Sequence, residues 1–149
     1  HSNARAVCEH YRNVPDAILE RVADNQGVVM ATFVPAFVSN AYAEWEAAAD
    51  TSIPAPEVSV AEVANHLDHI RALAGIAAVG LGGDFDGIPA LPRDLSDVST
   101  YPRLLEELHS RGWSHSDLDA LCWRNTVRVL EAAEAVAASL SDEVPEAAL

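Results

Sequence analysis

The chain has 149 residues, half of them apolar, which suits one globular domain with a buried core and argues against a disordered chain. Nine Lys and Arg stand against 23 Asp and Glu, and the formal net charge of −14 disfavours nucleic acid as a partner, because phosphates would be repelled across the whole surface. The two cysteines, Cys8 and Cys122, lie far apart without a CxxC spacing; they indicate neither a disulfide framework nor a thiolate zinc site, and both are expected to be buried as small apolar residues.

In chain order, Asn13-Val14-Pro15-Asp16 reads as a helix start, with Pro in the first turn, Asp at the positive helix end, and Ile18, Leu19 and Val22 on one face up to Gly27. Residues 28–34 form a short apolar run rich in β-branched side chains and ending at Pro35, the pattern of a strand buried on both sides in a parallel sheet. Residues 36–58 lack a clean period and contain Pro54 and Pro56, so they are expected to form a long connection with a helical turn near 43–49. Ser59 and Glu62 make a capping-box pattern, and Val60, Val63, Ala64, Leu67, Ile70 and Ala74 recur at helical spacing up to Gly75. Residues 77–81 repeat the buried-strand pattern and break at Gly82-Gly83-Asp84-Phe85-Asp86-Gly87. A helix is expected from about 102 to 109, a short one capped by Ser114 and Asp117, and an Ala-rich one from 126 to 138 after Asn125. The acidic stretch from 139 to 149 is expected to be a frayed tail behind one domain of residues 1–138.

Strands of the buried type alternating with helices are the grammar of an α/β fold. Two strands are legible and a third is implied just before His1, whereas a closed eight-stranded barrel takes about 250 residues. In such folds the chemistry sits where strands end, and His1 and Asp84 occupy such places. Asp84 and Asp86 lie on a glycine-rich turn where a backbone can approach a ligand, so a metal or a proton could be handled there; an ordinary chain reversal with Asp84 as a cap explains the spacing equally well. His66, Asp68 and His69 invite a metal reading, but helical geometry puts His66 on the flank of the apolar stripe and His69 nearly opposite it, facing solvent and away from strand-end chemistry. These histidines are therefore assigned to structure. His10, His109 and His115 have no partner pattern and are expected at the surface.

Several segments together resemble the membrane (renal) dipeptidase family of zinc metallopeptidases. They are His1-Ser2-Asn3-Ala4-Arg5 with Arg12-Asn13-Val14-Pro15-Asp16, then residues 65–70, then Val79-Gly80-Leu81-Gly82-Gly83-Asp84-Phe85-Asp86-Gly87, with Tyr101-Pro102 and residues 125–129 further on. The resemblance implies the C-terminal part of a metal-dependent (β/α)8 (TIM) barrel with a pair of zinc ions at the strand ends, and hydrolysis of dipeptides, including those with a C-terminal D-residue, by a zinc-bridged hydroxide. It implies that His1 is a zinc ligand, that Arg12 grips the substrate carboxylate, and that Asp84 is the catalytic carboxylate beside the bridging water; it gives Asp86, His66 and His69 no ligand role. The family's HxD pair, its bridging glutamate and a further metal-binding histidine lie before the position of His1. The expectation is therefore that this chain is a C-terminal portion, inactive alone, whose partner is the missing N-terminal half of the barrel.

Start at His1 rather than Met agrees with that expectation. Family members are often dimers, so a homodimer is a further expectation. No stretch approaches the roughly 18 apolar residues of a membrane span, and the acidic, Ala-rich composition suits a cytoplasmic location. The readings set beside the dipeptidase are an amidohydrolase acting on N-acyl amino acids, and a non-catalytic barrel remnant that has lost its metals.

Overall fold

The computed structural model describes residues 1–50 and 52–140; most of the expected acidic tail, residues 141–149, lies outside the described residues, as does Thr51. Helix α1 spans Asp16–Asp24, strand β1 Val29–Ala31, helices α2 and α3 Pro35–Val38 and Asn40–Ala48, and helix α4 Val60–Ala74. A single 3-10 turn leads into strand β2, Val79–Leu81, and helices α5 (Tyr101–Ser110), α6 (His115–Asp119) and α7 (Asn125–Ser139) complete the order.

Strands β1 and β2 pair in parallel with Val29 opposite Val79, Met30 opposite Gly80 and Ala31 opposite Leu81. Parallel neighbours need a crossover, and α2, α3 and α4 supply it. The architecture is thus α/β, as the apolar runs predict.

Helix α4 is the spine of this unit. Ser59 Oγ accepts from the Glu62 amide at 3.3 Å while Glu62 Oε2 accepts from the Ser59 amide at 2.8 Å, so the capping box read in the sequence is closed in both directions. Such a cap stabilises by about 1 kcal/mol. Val63, Ala64, Leu67, Ile70 and Ala74 are all buried, and each large aliphatic among them contributes roughly 1.5–3 kcal/mol by leaving water.

The motif in the middle of α4 is occupied by fold contacts. Asn65 Oδ1 and Asp68 Oδ2 each accept from Arg111 Nη1 at 2.8 Å, and Trp113 Nε1 donates to Asp68 Oδ1 at 2.7 Å, which ties α5 and its exit to α4. His69 Nε2 meets Asp16 Oδ1 at 2.8 Å, tying α1 to the same helix. His69 is therefore half-buried against α1, not turned to solvent, because the first residue of α1 supplies a carboxylate. His66 is wholly buried, deeper than a flank position implies.

Four other expectations are corrected. The run 28–34 pairs as strand only over Val29–Ala31, because the Thr32 backbone finds its partners in the side chain of Asn3 instead of in a strand. Residues 36–58 contain two helices, α2 with Pro35 as its first residue and α3, whose Ala and Glu content carries a helix propensity that the weak apolar period concealed. Asn125 does not start a new helix: α6 runs through a π turn at Ala120–Arg124 straight into α7. Its buried side chain instead donates to the carbonyls of Ile76 at 2.7 Å and Val79 at 2.8 Å, at the foot of β2. Cys8 is buried as expected, and burial raises its thiol pKa, but Cys122 lies exposed on that π turn.

Candidate functional site

Parallel strands point their carbonyl ends the same way, so whatever follows β1 and β2 gathers at one pole of the molecule. There the Gly82 amide donates to the Ala31 carbonyl at 2.8 Å, extending the ladder by one bond before the chain turns. The first residues enter beside it, with the Ser2 amide donating to the Met30 carbonyl at 3.2 Å. A Cβ on Gly82 would stand 3.0 Å from Cδ2 of His1, so glycine is what lets the imidazole lie over the end of β2.

The turn after Gly82 is a tight reversal closed by the Gly87 amide on the Asp84 carbonyl at 3.0 Å. Asp84 takes a left-handed φ of 64°, a conformation that costs a side-chain-bearing residue of the order of 1 kcal/mol. Its Oδ1 occupies the space a Cβ on Gly87 would fill, so any other residue at 87 would displace the carboxylate. Asp84 Oδ2 then lies 3.8 Å from His1 Nδ1, with the imidazole half-exposed and the carboxylate more sheltered.

His1 and Asp84 share an open cavity of about 550 Å³ with Phe85, Asp86, Asp97 and Val98. The far side of the Asp84 turn is an aromatic wall, in which Phe85 packs edge to face on Phe33 and Tyr101 and these two tilt on each other, with centroids 5.5–5.6 Å apart. Burial raises the pKa of the Tyr101 phenol, which keeps it neutral in this wall.

The structure therefore brings together two of the three site residues inferred from the sequence. Arg12 is near in the chain path, its carbonyl accepting from Ser2 Oγ at 3.1 Å, but its guanidinium lies over the Phe37 ring at 5.3 Å and outside the cavity of His1 and Asp84. His10 stacks on the same ring, with centroids 4.3 Å apart. Asp97 was not singled out in the sequence; its Oδ1 accepts from the Ser99 amide and hydroxyl, the signature of a turn cap and not of a site, and only the fold carries it to the cavity.

Imidazole and carboxylate are both ordinary zinc donors, and here they converge on one cavity. Among the described residues, no group of three His, Cys, Asp or Glu side chains could hold a metal ion. The residues present fit a share of a zinc shell.

The decisive comparison is with protein families: the model for membrane dipeptidase (peptidase family M19) matches residues 1–144. The chain belongs to the membrane dipeptidase family. It is 41% identical over 145 residues to Dipeptidase aclJ of Aspergillus oryzae, and 42% identical over 137 residues to Dipeptidase 3 of Homo sapiens. Those alignments take in 97% and 91% of this chain but 32% and 25% of the relatives, so the dipeptidase-family chain spans a third or less of their length. Among solved structures, the M19 metallopeptidase called dipeptidase AC superposes with a TM-score of 0.74 at 30% identity, covering 88% of this chain and 36% of that one. A metallopeptidase from Rhodobacter sphaeroides liganded with a phosphinate mimic of the dipeptide L-Ala-D-Ala superposes with a TM-score of 0.73 at 30% identity, covering 88% of this chain and 34% of that one. The resemblance drawn from the motifs is thus the family itself, and that family consists of metal-dependent hydrolases.

Proposed function

We propose that this chain supplies one side of a zinc-dependent dipeptidase site, as the C-terminal part of a (β/α)8 barrel. The observation that carries the reading is the approach of His1 to Asp84 over the ends of the parallel pair, on a tight turn where Asp84 takes a left-handed conformation. The relation to dipeptidases, and to a metallopeptidase liganded with a dipeptide mimic, supports a dipeptide as substrate, including one with a C-terminal D-residue.

In this reading His1 is a metal ligand through a neutral ring nitrogen, and zinc, when bound, supplies Lewis acidity and an acidified water. Asp84, with Oδ2 beside His1, takes the proton from the attacking water and returns it to the leaving amine. Arg12 is the group for the substrate carboxylate, since a planar guanidinium can hold it bidentately. From its place over Phe37 it would have to swing toward the cavity on binding. A catalytic zinc normally takes three protein ligands, so the donors described here need those of the remaining barrel, and the 149-residue chain alone is expected to be inactive.

The test is zinc content together with hydrolysis of L,D-dipeptides and N-acyl amino acids. It would be run on the 149-residue chain and on the same chain joined to the preceding part of a family-length barrel. Zinc and dipeptide turnover in the joined form alone support the proposal; dipeptide hydrolysis by the isolated chain, freed of contaminating enzyme, or absence of zinc from both, removes it. Preference for N-acyl amino acids would move the assignment to an amidohydrolase.

A further inference from the structure

Three elements meet at a single buried imidazole: α4, which carries it, the entry segment and the end of α2. His66 is fully buried on α4, its Nδ1 is 3.2 Å from the Ala4 amide nitrogen, and its Nε2 is 2.9 Å from the Val38 carbonyl oxygen. The Ala4 N–H is only a donor and the Val38 carbonyl only an acceptor, so the ring is neutral with its proton on Nε2. Burial pushes its pKa below the usual imidazole value, which keeps the ring neutral, and the two contacts select the tautomer.

The rest of the entry segment is pinned by amides. The Asn3 side chain pairs with the Thr32 backbone in both directions, at 3.0 and 3.1 Å, as a strand residue would. Asn13 Oδ1 accepts from the Asn3 amide at 3.0 Å, and Val14 and Ala4 form an isolated parallel bridge. On the His1 side of these contacts the backbone is held to β1 by the Ser2 bond to Met30.

We propose that His66 is a positioning residue that sets where His1 stands, by holding the Ala4 N–H on one ring nitrogen and the Val38 carbonyl on the other. Remove the acceptor at Nδ1 and the Ala4 N–H is left buried and unpaired. The entry segment relieves it by shifting toward water, and the shift passes to half-exposed His1 through Ser2, whose amide bonds the Met30 carbonyl and whose hydroxyl bonds the Arg12 carbonyl. The His1 ring then leaves Gly82 and Asp84. That His1 is the group worth placing rests on its proposed role as a metal ligand; the clamp itself does not.

The two ring contacts can be separated by substitution. In His66→Asn the side-chain oxygen falls near Nδ1 and keeps the Ala4 bond; in His66→Gln the amide group reaches the Nε2 position and keeps the Val38 bond. The readouts are the nuclear Overhauser contact between the His1 ring and Gly82, and exchange of the Ser2 amide. Both variants are expected to melt at similar, lowered temperatures. The Asn variant should retain the contact, while the Gln variant loses it and exchanges Ser2 roughly tenfold faster or more. A folded Gln variant with the contact intact and Ser2 exchange unchanged overturns the proposal. If neither variant folds, the wild-type chain decides: a scalar coupling between the Ala4 amide nitrogen and His66 Nδ1 is expected, and its absence overturns the clamp. Zinc added to the barrel-joined form tests the other reading separately, since an intact coupling with His1 resonances unmoved by zinc there keeps the clamp and removes the metal role.

Discussion

Arg128 and Asn125 sit at the foot of the β1–β2 pair, and His1 and Asp84 sit at its head. At the foot, Arg128 donates to the carbonyls of Gln26, Ala77 and Gly27 at 2.6, 2.9 and 3.5 Å, and Asn125 donates to two more. The terminal nitrogens of Arg128 and the amide nitrogen of Asn125 are spent on backbone carbonyls, while Arg128 Nε is buried without a partner. At the head, the imidazole and the carboxylate face each other at 3.8 Å across an open cavity, and Asp84 takes a left-handed backbone conformation. Polar groups that answer buried backbone make stability, whereas polar groups left facing a cavity at the end of parallel strands are available for chemistry.

That contrast can be broken by measurement. The largest loss of stability is expected from Asn125→Ala, which strands two carbonyls at the foot of β2 and should cost about 3 kcal/mol in urea unfolding. Arg128→Ala should cost about 2 kcal/mol, because its three carbonyls lie nearer to water, and should leave the His1 to Gly82 contact in place. If either change proves neutral, the foot is not the stabilising end.

Acid gives a smaller effect with a definite sign. His66 has a folded pKa below its unfolded value, held there first by burial and opposed by its bond to the Val38 carbonyl; His69 and Glu62 are the charged neighbours. Below about pH 6.5 the unfolded chain binds a proton that the folded chain refuses. Stability from this group is therefore full above that pH and falls as pH drops toward the depressed folded value, by up to about 1.4 kcal/mol per pH unit. His66→Asn should flatten that limb of the stability–pH curve; an unchanged limb assigns it elsewhere, for instance to His10, whose pKa burial also lowers.

The smallest change in stability is expected at the head. Asp84→Asn should alter unfolding free energy by no more than about 0.5 kcal/mol. In the barrel-joined form it should reduce dipeptide turnover by roughly 100-fold or more, the usual scale for a lost general acid–base group. Retained turnover would leave Asp84 as a turn residue only.

Much of the fold was legible in local chemistry. The capping box at Ser59 and Glu62 and the apolar period of α4 are short-range patterns whose physics acts within a few residues, and they appear where the sequence puts them; the two apolar runs give strands at their centre and end only, over Val29–Ala31 and Val79–Leu81, the second after a 3-10 turn at Ile76–Ala78. The site was legible only through its strand-end position and the family motifs, which named His1, Asp84 and Arg12. Tertiary structure alone decided the rest. It placed His1 over Gly82 and against Asp84, sent the Arg12 guanidinium to Phe37, and brought Asp97 to the cavity. It also turned the histidine motif of α4 into anchors, one to α1 and one to the entry segment. These are contacts between segments distant in sequence, satisfied only when a buried donor meets an acceptor from another element, and no periodicity within a segment records which partner that will be.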